Sequence, residues 1–143
     1  MGPAHSEILH ATSVSAQGRG VLICGPSGSG KSALALQMMA LGARLISDDQ
    51  TEVYTTEAGL RLRCPSTAIR GLIEARGIGL LRVDPLPDAP LSLVVNLAQD
   101  ETERLPPQRQ VTILGQQLPL LLQVQNNHFP AALMVYLCGE RQD

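Results

Sequence analysis

At 143 residues the chain is long enough for one domain with a substantial core. A formal net charge of −2, with two Tyr, one Phe and no Trp, excludes a broad basic nucleic-acid face and a base-stacking platform. No apolar run reaches membrane-spanning length and no apolar-cored leader opens the chain. The expectation is therefore a single cytoplasmic domain over residues 1–143, without membrane or nucleic-acid contact, with residues 1–6 and 139–143 as loose ends. Cys24, Cys64 and Cys138 have no C-x-x-C spacing, which points to neither a disulfide framework nor a zinc site.

Glu7 to Ala16 mixes apolar and small polar residues and reads as a strand containing His10. Gln17-Gly18-Arg19-Gly20 is a turn signal, so the next apolar run, Gly20 to Cys24, returns as a hairpin partner and can bring His10 toward the residues just after Cys24. Those residues, Gly25-Pro26-Ser27-Gly28-Ser29-Gly30-Lys31-Ser32, fit G-x-x-x-x-G-K-[ST]. The flanks are those a phosphate loop needs: a buried strand before it, and after it Ser32 to Leu41, built of strong helix formers and closed by Gly42. Glycines let successive backbone N–H groups turn toward an anion, and the helix N-terminus adds partial positive charge. In such a loop Lys31 reaches the β/γ-phosphates and the Ser32 hydroxyl ligates Mg²⁺.

Arg44 to Ser47 is a short strand closed by Asp48-Asp49. Two carboxylates just past a strand end lie at the edge where open α/β sheets bind ligands. One can hold Mg²⁺ through water or accept a hydroxyl proton, although the pair can also be read as a polar turn. Thr51 to Tyr54 and Leu60 to Cys64 form a second hairpin about Glu57-Ala58-Gly59. Thr67 to Ile73 reads as a helical turn or loop, and Glu74 and Arg76 can face a phosphate and its metal or form a surface ion pair. Gly79 to Asp84 reads as an apolar strand ending in a rival metal-binding carboxylate, Asp84. Pro85, Pro87 and Pro90 predict a stiff loop, and Leu91 to Ala98 a central, nearly continuous apolar strand. Gln99 to Gln110 is an exposed loop carrying Arg104. Strands over Val111–Leu114 and Leu118–Val124 and a final helix over Phe129–Leu137, with Pro130 in its first turn, complete the chain.

Four segments together resemble the catalytic domain of HPr kinase/phosphorylase, in its short single-domain proteobacterial form: the histidine-bearing hairpin, Gly25–Ser32, Leu45-Ile46-Ser47-Asp48-Asp49, and Ile69-Arg70-Gly71-Leu72-Ile73-Glu74-Ala75-Arg76-Gly77-Ile78-Gly79. The last looks like the family's signature and is far more specific than a phosphate loop. The resemblance covers roughly residues 5–110. It implies an α/β fold, a P-loop kinase domain of the phosphoenolpyruvate-carboxykinase-like type, with a mixed central sheet and few helices. It implies a serine kinase using ATP and Mg²⁺ to phosphorylate the carrier protein HPr, in many members with a reverse phosphorylase reaction, and acting in carbohydrate and nitrogen regulation. By position it makes Lys31 the phosphate-binding lysine, Ser32 and Glu74 the Mg²⁺ ligands, Asp49 the proton acceptor with Asp48 beside it, and His10 and Arg104 a site histidine and arginine. Hexamers occur in the family. Ala33 departs from the family's usual Glu, and the basic C-terminal segment of longer forms is not recognisable in Leu118–Asn127. Two other readings stay open from the residues: a small-molecule P-loop kinase using Asp84, and a non-catalytic nucleotide-binding regulator.

Overall fold

A computed structural model describes residues 5–143. The elements run β1 (Ser6–Leu9), β2 (Ala11–Ala16), β3 (Arg19–Cys24), α1 (Lys31–Ala40), β4 (Arg44–Ser47), β5 (Thr51–Thr56), β6 (Gly59–Arg63), β7 (Leu72–Ala75), β8 (Gly79–Arg82), β9 (Asp88–Asp100), β10 (Arg109–Ile113), β11 (Gln116–Gln123) and α2 (Phe129–Gly139). Nine strands make one mixed sheet in the order β1-β5-β6-β9-β3-β2-β4, with β11 pairing parallel to β9 and β10 pairing antiparallel to β11. The expected mixed central sheet with few helices is what the chain forms.

β3 lies at the centre because its residues are apolar on both faces. Val21 and Ile23 point into one core with the α1 residues Leu34, Ala35 and Met38 and the α2 residues Phe129, Leu133 and Leu137. Leu22 points into a second core with Leu62, Leu60 and Ile46. β9, on the other side of β3, serves both cores by a change of phase. Ala89 and Leu91 face the second core, while Leu93, Val95 and Leu97 face the first. The change coincides with a register shift, where Gly20 pairs with Leu91 but Val21 with Leu93. One extra residue in a strand reverses which side chains face which side. At that irregularity a Cβ on Gly20 would sit 2.6 Å from the Pro90 carbonyl oxygen, so the glycine permits the close approach of β3 and β9.

α1 ends in a tight reversal: the Ala43 N–H donates to the Met38 carbonyl and the Gly42 N–H to that of Met39, with Gly42 at φ +111°. This pairing of the last carbonyls explains why a glycine follows the helix.

Several boundaries differ from the sequence expectation. The strand expected over Glu7 to Ala16 breaks at His10: β2 lies between β3 and β4, while β1 departs to pair with β5. The run Leu72 to Arg82 leaves the main sheet altogether, and β7 and β8 pair only with each other as an antiparallel hairpin. β9 starts before Pro90, which lies within the strand rather than in a loop. The tail is tied rather than loose: Arg141 donates to the Pro106 carbonyl at 2.6 Å and pairs with Asp143, and Arg19 pairs with Glu140 at 2.7 Å. Residues 1–4 of the expected N-terminal loose end lie outside the described residues, and Ser6 opens β1.

Candidate active site

β3, β2 and β4 deliver their functional residues to one edge. β2 runs antiparallel to both neighbours, so the end of β3, the start of β2 and the end of β4 coincide. Ala11 faces Cys24, which sets His10 beside the phosphate loop, and Ser13 faces Ser47, which sets Asp48 and Asp49 there too. A cavity of about 650 Å³ opens at this edge, walled by His10, Lys31, Ser32, Asp49, Glu74 and Arg76 among others. Its size suits a small-molecule site.

The loop has the backbone a phosphate cradle requires. Gly25, Gly28 and Gly30 have φ of +150°, +82° and +101°, which side chains other than glycine rarely adopt. Gly25 also has no room for more: a Cβ there would meet the Ser29 hydroxyl at 2.6 Å. Lys31 is 7% exposed, and its Nζ donates to the carbonyls of Gly25 (2.8 Å) and Pro26 (3.1 Å). Among the described residues no carboxylate pairs with it. Burial pushes the Cys24 thiol up, with the Lys31 ammonium pulling weakly the other way, so this cysteine is a packing group rather than a nucleophile.

The two adjacent aspartates have different surroundings. Asp48 is buried, and its carboxylate accepts from Thr12 Oγ1 (2.9 Å), Ser32 Oγ (2.6 Å) and the Glu74 N–H (3.0 Å). Asp49 is 68% exposed at its side chain, lines the cavity, and pairs with His10 Nδ1 at 3.4 Å, while His10 Nε2 lies 3.5 Å from Ser27 Oγ. Asp49 also has φ +68°, an uncommon conformation for a non-glycine residue that aspartate tolerates better than most. The Asp49 N–H faces Thr12 Oγ1 at 3.4 Å.

His10, Asp49, Lys31, Ser32 and Glu74 thus share one cavity, with Asp48 behind it. Arg104 does not: it is exposed on the 101–108 loop and lines no part of the cavity. Asp84 is not near it either. Its side chain is 95% exposed and pairs with Arg44 at the opposite end of β4, which removes it as a rival metal-binding carboxylate and with it the basis of the small-molecule-kinase reading. Thr12 is a site residue that sequence reasoning passed over. Its signal was the polar content of a strand, Thr12, Ser13 and Ser15, that turns out to be buried on both faces.

The donor set suits magnesium. The Ser32 hydroxyl spends its proton on Asp48, which leaves its oxygen free to accept or ligate. Among the described residues no cluster of three or more His, Cys, Asp or Glu could hold a metal alone. Magnesium takes one or two protein oxygens and completes its shell with phosphate and water, and the Ser32 hydroxyl and the Glu74 carboxylate line the same cavity.

The edge location, the glycine cradle and the mixed sheet define a P-loop domain with the phosphoenolpyruvate-carboxykinase-like kinase fold. Known proteins narrow this further. The family described as HPr Serine kinase C-terminal domain matches residues 3–127. The HPr kinase/phosphorylase of Limosilactobacillus reuteri is 40% identical over 96 residues, 62% of this chain and 30% of the relative. That of Bordetella pertussis is 38% identical over 115 residues, 72% of this chain and 37% of the relative. The solved Hpr(Ser) kinase/phosphatase from Coxiella burnetii matches with a TM-score of 0.76 at 25% identity, over 92% of this chain and 88% of that one. The chain belongs to the HPr serine kinase C-terminal domain family. It spans 30% and 37% of the length of the two curated relatives, about a third. No helix among the described residues is long and apolar enough to cross a membrane.

Proposed function

We propose that the chain is a Mg-ATP-dependent serine kinase acting on an HPr-type phosphocarrier in the cytoplasm, with phosphorolysis as the reverse reaction. The observation that carries this is the exposed Asp49 carboxylate, paired with His10, facing the same cavity as Lys31 and Ser32. A serine hydroxyl is a poor nucleophile, so a carboxylate within reach that orients it and takes its proton is the group the reaction needs. Asp49 has that position, and His10 holds its orientation and stabilises its charge. Gly25 to Ser32 bind the phosphates, and Lys31 leaves its two carbonyl partners to meet the charge that spreads over the transferring phosphoryl oxygens. Magnesium, when bound, supplies further neutralisation of that charge. Ser32 and Glu74 are the residues that would hold it, and Asp48 fixes the Ser32 hydroxyl from behind. Arg104 enters this scheme only if the 101–108 loop brings it inward, and we assign it a contribution to phosphate charge on that condition. In phosphorolysis an oxygen of inorganic phosphate forms the new bond to the phosphoserine phosphorus, giving pyrophosphate, and Asp49 returns the proton to the serine oxygen as its bond to phosphorus breaks.

The test is phosphoryl transfer from labelled ATP to purified HPr with Mg²⁺. Label on an HPr serine, lost in Asp49→Asn while ATP still binds, is the expected result. ATP binding without label on any protein would overturn the kinase reading and favour a non-catalytic regulator. ATP affinity unchanged in Lys31→Ala would remove the phosphate role itself.

A further inference from the structure

One hydroxyl on β2 meets both aspartates that follow β4. Thr12 is fully buried; its Oγ1 donates to Asp48 Oδ1 at 2.9 Å, and the Asp49 N–H faces the same oxygen at 3.4 Å. A hydroxyl has one proton and two lone pairs, so it makes both contacts at once. No other side chain among the described residues hydrogen-bonds to both aspartates. The contacts weigh differently on the two. Asp48 has other support, because Ser32 Oγ donates to the same oxygen at 2.6 Å and the Glu74 N–H to the second oxygen at 3.0 Å. Asp49 has little. Its N–H has no second acceptor among the described residues, and its exposed carboxylate pairs only with the half-exposed His10. Its φ of +68° lies in a turn closed by the Gln50 N–H on the Asp48 carbonyl and by the Ser47 hydroxyl on the Gln50 carbonyl. A left-handed residue other than glycine persists where its surroundings hold it there.

We infer that Thr12 is a positioning residue for Asp49: its hydroxyl holds the left-handed turn that sets the Asp49 carboxylate in the phosphate cavity. The inference rests on the kinase reading of that cavity and adds what fixes the group that takes the serine proton. Asp48 has a second task in this arrangement. By receiving the Thr12 proton it leaves a lone pair of Oγ1 for the Asp49 N–H. His10 and Thr12, two residues apart at one end of β2, then hold Asp49 together, the first by its carboxylate and the second by its backbone. A Thr12 that merely supplied a donor to a buried carboxylate would explain the bond to Asp48. It would not explain why the same oxygen meets the one backbone N–H of the exposed, left-handed residue beside it. The two roles also differ in consequence. A supporting Thr12 affects stability alone. A positioning Thr12 affects the transfer step and spares ATP, because Ser32 keeps its bond to Asp48 when the Thr12 hydroxyl is gone. Small displacements of a reacting group are costly in rate, which makes the step the sensitive quantity.

The experiment compares Thr12→Val and Thr12→Ser with Gly20→Ala, a destabilising control at the end of β3 away from the phosphate loop. Phosphoryl transfer from ATP to purified HPr with Mg²⁺ gives kcat and the KM for ATP, measured where every variant is folded. Thr12→Val should lose about tenfold or more in kcat with its KM for ATP within about twofold of wild type, and Thr12→Ser, which keeps the hydroxyl, should recover most of that loss. Gly20→Ala should keep the wild-type kcat. A Thr12→Val kcat equal to that of Gly20→Ala would overturn the inference, as would a KM for ATP that rises in step with the loss of kcat. Amide hydrogen exchange followed by NMR gives a readout independent of activity. The Asp49 amide should exchange about tenfold or more faster in Thr12→Val than in Gly20→Ala and slow again in Thr12→Ser, while the Glu74 amide, bonded to the other Asp48 oxygen, keeps its Gly20→Ala rate. Equal Asp49 exchange in Thr12→Val and Gly20→Ala would overturn the inference. Wild type that transfers no label to HPr fails the kinase reading rather than this one, and the exchange rates then decide it. If Thr12→Val does not fold, Thr12→Cys, whose thiol is a weak donor and acceptor, replaces it in both measurements; a change of about threefold or more is expected, and none would refute the role.

Discussion

The sharpest consequence of the site geometry is that Asp48→Asn and Asp49→Asn, one residue apart, should act on different properties of the protein. The Asp48 carboxylate receives three donors: Thr12 Oγ1 and Ser32 Oγ on one oxygen, the Glu74 N–H on the other. An asparagine presents a single acceptor oxygen and an NH₂ group. In its better orientation it keeps the two hydroxyls and turns its NH₂ against the Glu74 N–H, leaving a buried donor unsatisfied. That costs about 1–3 kcal/mol, and the two remaining bonds weaken from charged to neutral. Removing a buried charge recovers some desolvation energy, but three hydrogen bonds already offset most of that penalty in the native protein. The net expectation is a loss of about 2 kcal/mol, which at a urea slope of about 2 kcal/mol/M lowers the unfolding midpoint by about 1 M. Asp49→Asn should change stability by less than about 0.5 kcal/mol, because the side chain is 68% exposed and asparagine accepts the +68° φ. Its effect should fall on phosphoryl transfer instead. Urea titrations of both variants, followed by circular dichroism, decide the matter. An Asp48→Asn protein as stable as wild type, or more so, would show that the carboxylate is held at a net cost in stability and that its hydrogen bonds do not compensate for burial.

Other positions give independent checks. Gly20→Ala should destabilise the protein by about 1–3 kcal/mol, because its Cβ would meet backbone at Pro90 and the Leu62 side chain, and an unchanged urea midpoint would refute the close approach of β3 and β9. Thr12→Val keeps shape and strand preference but removes the hydroxyl donated to Asp48, so a loss of about 1.5–3 kcal/mol is expected in the same assay. The hydrogen bonds from Arg63, aided by its charge, hold the Glu52 carboxyl below its usual value, so its contribution to stability is present above the unfolded-state pKa and disappears as pH falls through the lower folded one. Glu52→Gln should therefore have a lower urea midpoint than wild type near neutrality, with the gap closing below about pH 4, whereas a gap independent of pH would reject the ion pair as its source.

What could be read in the sequence was what local chemistry decides. The phosphate loop, its strand and its helix are specified by consecutive residues, and the placement of His10 comes from a single hairpin. What could not be read depended on distant partners. The phase change in β9 is fixed by where Gly20 lets the two strands meet, not by anything in the alternation of Leu91 to Leu97 taken alone. The apolar run that suggested a sheet strand at Gly79 to Asp84 forms β8 only as far as Arg82 and pairs with β7 instead, and Leu80 stays exposed, as does Ile78 at the cavity wall. Asp48 and Asp49 were visible as a pair, but their division into a buried, hydrogen-bonded carboxylate and an exposed one facing the cavity requires Thr12, 36 residues away from Asp48.

The arrangement of Lys31 and Asp48 explains why such a site has to be built from neutral partners. Both are buried, one cationic and one a carboxylate, and no salt bridge joins them. Lys31 is held by two carbonyls; Asp48 is held by two hydroxyls and a backbone N–H. Had the two met directly, each would have satisfied the other, and a phosphate or a cation entering the cavity would first have to break a buried ion pair, at a cost of several kcal/mol. Carbonyls and hydroxyls satisfy the geometry of each group while leaving its charge uncompensated. The field left over is attractive to an anion on the Lys31 side and to a cation on the Asp48 side, across the width of one loop. Ser32 is the link between them: it lies in the first turn of the helix that Lys31 begins and gives its proton to Asp48, so its oxygen faces outward with both lone pairs available. On the kinase reading proposed above, a phosphate chain carrying a divalent cation would set its negative charge toward Lys31 and its cation toward Ser32.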